Sequence, residues 1–122
     1  MNKLYEARDI LATSWCRGDY KVVDADGVAR FCAVGAIGEA MHDGTAGYVT
    51  TEKSPEVKVL AEVIKEHYFD RTKVKYPDAD FDSWSSEDWV ITFNDTVAET
   101  HDEVMAMFEK AAIKFDEQVN VN

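Results

Sequence analysis

Apolar positions recur along the chain at three to four residue intervals in five places, and the elements follow from that spacing. Leu4, Ala7, Leu11 and Trp15 form one stripe, with Ile10 beside it and Glu6, Arg8 and Asp9 facing away. This predicts an amphipathic helix from Asn2 to Arg17, capped by Asn2 and ended by Gly18. Tyr20 to Phe31 reads as two short β-prone pieces around Asp26 and Gly27, which is a hairpin signal. Phe31 to Met41 is the least polar stretch, with Glu39 its only charge. Its small residues (Ala33, Gly35, Ala36, Gly38, Ala40) permit close approach of neighbouring backbones, while Val34, Ile37 and Met41 supply bulk at helical spacing. A buried central helix is expected there, stopped by Asp43 and Gly44, although each internal glycine costs about 1 kcal/mol relative to alanine. A strand is the competing assignment, because a short apolar run cannot be typed by periodicity alone.

Thr45 to Lys53 reads as loop, with β-prone residues at Gly47 to Thr50. Ser54, Pro55 and Glu56 start a helix whose stripe (Val59 or Leu60, Val63, Ile64, His67, Tyr68) runs to about Phe69. Thr72 to Ser83 is expected to be loop, since it holds Pro77 and the alternating Asp78, Asp80 and Asp82. Ser85 or Ser86 opens a shorter helix with Trp89, Val90 and Phe93 inward, ending near Asn94 and Asp95. Thr100 and Glu103 have capping-box spacing, and the helix after them buries Val104, Phe108, Ala111, Ala112 and Phe115. No repeat or linker divides residues 1–122, so a single globular domain is expected. The fold class is mainly α with a minor β part: four to five helices in a compact array around the buried small-residue helix, plus a short hairpin.

Composition narrows the function classes. The 46% hydrophobic fraction is that of a globular chain. No run reaches the roughly 18 apolar residues of a membrane span, and the first residues lack the apolar core of a signal peptide. Two cysteines, Cys16 and Cys32, make neither a disulfide framework nor a zinc motif. The expectation is a reduced, cytoplasmic setting with no membrane partner, no cofactor and no metal. A net charge of −11 argues against direct nucleic-acid binding, which needs Lys and Arg. That charge is unevenly placed. Tyr76 to Glu109 contains ten acids and no Lys or Arg, whereas residues 1–75 hold 12 acids against 11 bases.

Candidate chemistry is weak beside this. Cys32 sits where the central helix begins, so a helix dipole would favour its thiolate, with His42, His67 or His101 as base and Asn94 or Asp95 orienting it. Against that, cysteine between Phe31 and Ala33 is an ordinary core residue. Asp78, Asp80 and Asp82 resemble the first ligands of a calcium loop, but Ser83 stands at the required glycine and Trp89 at the bidentate glutamate. Carboxylate pairs for acid–base work are too numerous in the acidic stretch to single one out. Gly35, Gly38 and Gly44 do not form a phosphate-binding GxGxxG. Phe81, Trp84, Trp89 and Phe93 read as core first and as anchors for a partner second.

Trp15-Cys-Arg-Gly18 with Tyr20, Asp24-Ala-Asp-Gly27, Phe31-Cys-Ala-Val-Gly-Ala36, Phe93-Asn-Asp95 and Thr100-x-x-Glu-Val104 with Phe108 and Ala111-Ala112 together resemble a family. It is a family of small uncharacterised proteins of bacteria and their phages, a domain of unknown function, and the likeness covers most of the chain. The resemblance implies an intracellular, often phage-borne domain, in the host cytoplasm if phage-encoded, and carries no site residues with it. The expected function is a small acidic binding protein that engages a basic surface of a host or cellular protein, as a regulator or nucleic-acid-mimicking inhibitor. Asp78, Asp80, Asp82, Trp84, Glu87 and Asp88 are the expected contact residues. The alternative is a small enzyme or small-molecule binder built around Cys32 and the Asn94–Asp95 turn; a purely solubilising role for the acids is a third.

Overall fold

The computed structural model describes residues 3–19, 21–41 and 55–120. Among these residues there are five α-helices and one two-stranded antiparallel sheet, in the order α1 (Lys3–Thr13), β1 (Lys21–Val23), β2 (Ala29–Phe31), α2 (Ala33–Met41), α3 (Pro55–Lys75), α4 (Ser86–Thr92) and α5 (His101–Asn120). A 3₁₀ turn at Phe81–Ser83 precedes α4, and a π-helical turn at Phe93–Val97 follows it directly. The mainly helical class with a minor hairpin is therefore what the chain adopts.

Helix α2 occupies the middle. Ala33, Val34, Ala36, Ile37 and Ala40 are buried, and the helix touches α1, α3, α4 and β2. Small residues at 33, 36 and 40 let α1 lie close, where Leu4, Ala7 and Leu11 are fully buried against the same core. α5 covers α1 and α3 with Val104, Met107, Phe108, Ala111 and Ala112; Phe115, expected inside, is only half-buried.

Several boundaries differ from the expected ones, each for a tertiary reason. α1 ends at Thr13, not Arg17, because Trp15 leaves the helix to form a parallel bridge with Phe31. The Cys16 N–H donates to the Phe31 carbonyl at 2.9 Å and the Phe31 N–H to that of Ser14 at 2.7 Å. Gly18 accordingly does not end α1; it sits in a turn at φ +90°. Phe31 belongs to β2, so α2 starts two residues later than the apolar run suggests. In the hairpin, Gly27 takes φ +81°, and the Asp24 carboxylate Oδ1 accepts from the N–H groups of Asp26 (2.9 Å) and Val28 (3.0 Å). α3 continues to Lys75, well past Phe69, because Thr72 is buried and bonds back to the Tyr68 carbonyl while Arg71 pairs with Glu103 at 2.8 Å. Thr72 to Lys75 is thus helix, not loop. The expected caps at Asn2 and Ser54, the stop at Asp43 and Gly44, the β-prone piece at 47–50, and Tyr20 and His42 lie outside the described residues.

α4 begins with a full capping box: Ser85 Oγ accepts from the Asp88 N–H at 3.0 Å, and the Asp88 carboxylate accepts from the Ser85 N–H at 2.9 Å. At α5, Thr100 Oγ1 accepts from the Glu103 N–H at 3.2 Å, but Glu103 reaches back to the Glu99 N–H instead of that of Thr100.

Candidate functional site

The end of α1, the return of the hairpin, the start of α2 and the π-helical turn meet at one residue, Asn94. It is fully buried and its amide makes four hydrogen bonds. Oδ1 accepts from Trp15 Nε1 at 2.8 Å and from the Ala33 N–H at 3.0 Å. Nδ2 donates to the Cys16 carbonyl at 3.1 Å and to Asp95 Oδ1 at 2.9 Å. Two donors at one end and two acceptors at the other fix which atom is oxygen. The Ala33 N–H is one of the orphan donors at the start of α2. Asn94 is therefore a polar cap, and it caps α2 from a different element. The π-helical widening makes this reach possible: one extra residue in the turn, closed by the Ala98 N–H on the Phe93 carbonyl at 2.9 Å, rotates Asn94 inward.

Asp95 extends the junction, its Oδ1 also accepting from the Gly18 N–H at 3.0 Å. His101 stacks on Trp15 with centroids 4.9 Å apart and donates from Nε2 to the Leu11 carbonyl at 2.7 Å. Arg17 lies over the same Trp15 ring, 5.0 Å from its centroid, and donates to the Ala98 carbonyl at 2.7 Å. Beside these bonds is a cavity of about 260 Å³ lined by Gly18, Asp19, Cys32, Ile91 and Asp95.

Cys32 is buried at the first cap position of α2, and its Sγ accepts from the Gly35 N–H at 3.3 Å. Burial pushes its thiol up to about 11, over the opposing pull of the Gly35 and Val34 N–H groups. The helix terminus does favour the thiolate as expected, but desolvation is the larger effect. Cys16 is raised as well, by burial and then by the Asp19 and Asp95 carboxylates. No described histidine is bonded to Cys32: His101 is committed to Leu11, and His67 lies on α3 beside Glu66 at 4.0 Å. The nucleophile–base pair that the sequence permitted is not assembled among the described residues.

The acidic stretch divides. Asp78, Asp80 and Asp82 are exposed on the connection from α3 to α4, and no described cation pairs with them. Asp88 is tied into its capping box, Asp95 into the junction and Glu103 into its pair with Arg71. Glu87 is half-buried. Trp84 is half-buried too, edge-on to Trp89 and Phe81 at 4.9 Å each, with Tyr76 at 6.0 Å and Phe81 stacked on Trp89 at 5.3 Å. The carboxylates at 78, 80 and 82 are thus carried on a packed aromatic cluster. Among the described residues no three His, Cys, Asp or Glu side chains are grouped to hold a metal ion, and no helix is long and apolar enough to cross a membrane.

Residues 2–114 match a family of unknown function (DUF6197). The chain belongs to this family. No curated protein and no solved structure matches it. The DUF6197 match takes in both the Asn94 junction and the acidic connection, and stops within α5. The motifs around Trp15, Cys32 and Asn94, far apart in sequence, are adjacent in this DUF6197 fold. Of the residues that build the cavity, Asp19 and Ile91 carry no sequence signal; Gly18 drew notice as a helix end, where it does not act, and as the last residue of the Trp15–Gly18 motif.

Proposed function

We propose that the protein is a non-catalytic acidic binding protein that engages a basic surface of a cellular protein through the connection between α3 and α4. The observation that carries this reading is the set of exposed carboxylates at Asp78, Asp80 and Asp82, unpaired with any described cation and held on a packed aromatic base. A field of one sign on a rigid segment speeds encounter with a basic partner and sets its salt dependence, while buried anchors supply most of the affinity. Phe69, 38% exposed and edge-on to Phe81 at 5.4 Å, and the accessible edge of Trp84 are such anchors. Asp88 is removed from the expected contact set, because its carboxylate closes the α4 cap; Glu87 flanks the surface from the first turn of α4. A regulator or nucleic-acid-mimicking inhibitor, phage-borne and acting in the host cytoplasm, fits this chemistry. The enzyme reading built on Cys32 loses ground, since a buried thiol raised to about 11 with no bonded base among the described residues is a poor nucleophile.

The test is affinity capture from host lysate at low and high salt, with wild type and with Asp78→Lys/Asp80→Lys/Asp82→Lys. A specific protein captured at low salt and lost both at high salt and with the triple variant supports the proposal. Equal capture by a folded triple variant refutes it.

A further inference from the structure

The chain has two cysteines, and the fold sets them side by side. We infer that Cys16 and Cys32 are a reversible dithiol–disulfide pair that closes at the cavity beside Asn94. The parallel bridge between Trp15 and Phe31 makes Cys16 and Cys32 the next pair in register. Register neighbours on adjacent segments carry their side chains on the same face. The Cys16 N–H donates to the Phe31 carbonyl at 2.9 Å, and that carbonyl belongs to the peptide leading into Cys32. Backbone dimensions then hold the two Cα atoms within roughly 7 Å, against the roughly 4.4–6.8 Å that disulfides bridge. The rung beyond this pair is not a direct bond. The Asn94 amide takes its place, accepting from the Ala33 N–H at 3.0 Å and donating to the Cys16 carbonyl at 3.1 Å. The two segments part there, and the cavity of about 260 Å³ is lined by Cys32 together with Gly18 and Asp19 of the turn after Cys16.

The surroundings of the two thiols agree with this. Cys16 Sγ donates to the Asp19 carbonyl at 3.5 Å, and Asp19 and Cys32 share the cavity wall. Burial raises both thiols most, and the Asp95 carboxylate adds to each, so exchange at neutral pH is slow and answers to a sustained oxidising poise. A low-molecular-weight disulfide such as oxidised glutathione closes the pair in two steps. Cys16, the half-buried thiol, loses its proton and attacks one glutathione sulfur; the S–S bond breaks and one glutathione leaves, taking up a proton. Cys32 then loses its proton and attacks Cys16 Sγ, and the second glutathione leaves in the same way. Two protein thiols are oxidised and one glutathione disulfide is reduced to two thiols. Cys32, 3% exposed, has only to reach Cys16 and never the reagent. Closure costs Cys16 its bond to Asp19 and Cys32 the Gly35 N–H at 3.3 Å. It fastens the segment after α1 to the start of α2 around the hairpin, so the junction that Asn94 bonds gains a covalent clasp. The acidic connection at Asp78 to Asp82 has no part in this device.

The experiment is incubation of the folded full chain with oxidised glutathione at neutral pH, read by thiol counting, intact mass and non-reducing peptide mapping. Wild type is expected to lose both thiols and the mass of two hydrogens, to yield a linked Cys16–Cys32 peptide without forming a dimer, and to reopen in dithiothreitol. Cys32→Ala is expected to stop with glutathione on Cys16, and Cys16→Ser to keep its remaining thiol free. The closed chain should melt higher than the reduced chain, with the Gly35 amide resonance shifted by loss of its sulfur acceptor. A lasting glutathione adduct on Cys16 in wild type, closure no faster than global unfolding measured by hydrogen exchange, or a closed chain that melts lower would each overturn the assignment.

Discussion

Replacing Asn94 with alanine is the most direct perturbation of this fold. The substitution strands the Ala33 N–H, the Trp15 indole N–H and the Cys16 carbonyl, while Asp95 Oδ1 keeps the Gly18 N–H. An orphaned buried polar group costs about 1–3 kcal/mol. Ala33 is deeply buried and belongs at the upper end of that range; Trp15 and Cys16 are half-buried, so water recovers part of their loss. The sum is about 3–5 kcal/mol. At roughly 0.05–0.15 kcal/mol per residue, a chain of 122 residues has on the order of 6–18 kcal/mol in total, so Asn94→Ala removes a large share. Chemical denaturation followed by tryptophan fluorescence and far-UV circular dichroism measures it, and a fall in Tm of about 10–20 °C is expected. Asn94→Asp separates hydrogen bonding from volume. Its oxygens can still accept from Trp15 and Ala33, but the second oxygen meets the Cys16 carbonyl and Asp95 as an acceptor against acceptors. Burial and Asp95 raise the folded pKa of the new carboxyl above its unfolded value. Its penalty is therefore absent below the unfolded pKa of about 3.9 and grows as pH rises through the folded one. Asn94→Asp should be close to wild type near pH 4 and far less stable at pH 7. An Asn94→Ala cost under about 1 kcal/mol, or a pH-independent Asn94→Asp deficit, would refute the account of the junction.

Thr100→Ala should cost about 1 kcal/mol through loss of the cap on the Glu103 N–H, read as a shift of denaturant midpoint at constant slope. In the native state Cys32 should resist a thiol reagent at pH 7 and react at the rate of global unfolding; labelling faster than a free thiol would show an exposed thiolate instead. For Glu103, burial raises the carboxyl, but the Glu99 N–H and Arg71 together outweigh it and the net shift is downward. Its contribution is thus present above the unfolded pKa of about 4.3 and lost as pH falls through the folded value. Arg71→Met should therefore narrow the drop in stability between pH 5 and pH 3, and an unchanged acid profile would remove the pair from the account. The triple reversal at Asp78, Asp80 and Asp82 should leave Tm within a few degrees, since none of these carboxylates is bonded among the described residues, whereas Asp88→Lys should lower it by opening the α4 cap.

Elements were legible in the sequence wherever periodicity and local capping act alone. The stripe of Leu4, Ala7 and Leu11, the Ser85 and Thr100 starts, and the Gly27 turn are decided by neighbours within four residues, and all of them stand in the fold. The small-residue run from Ala33 to Ala40 likewise fixed its own burial, because only a core position suits so many residues without polar groups. Uneven charge was also readable, since it is a property of order along the chain. What tertiary structure decided is where long-range partners override local preference. The end of α1 at Thr13 depends on Phe31, and the length of α3 on Glu103, 32 residues beyond Arg71. The π-helical turn has no local signature: Phe93, Asn94 and Asp95 read as a helix end until Trp15, Cys16 and Ala33 arrive to take up the Asn94 amide. The cavity is the furthest from the sequence. Asp19 and Asp95, 76 positions apart, share a lining only because the four segments meeting at Asn94 are held in one arrangement by its bonds. Sequence order carries no information about such a meeting until the core that α2 organises has closed around it.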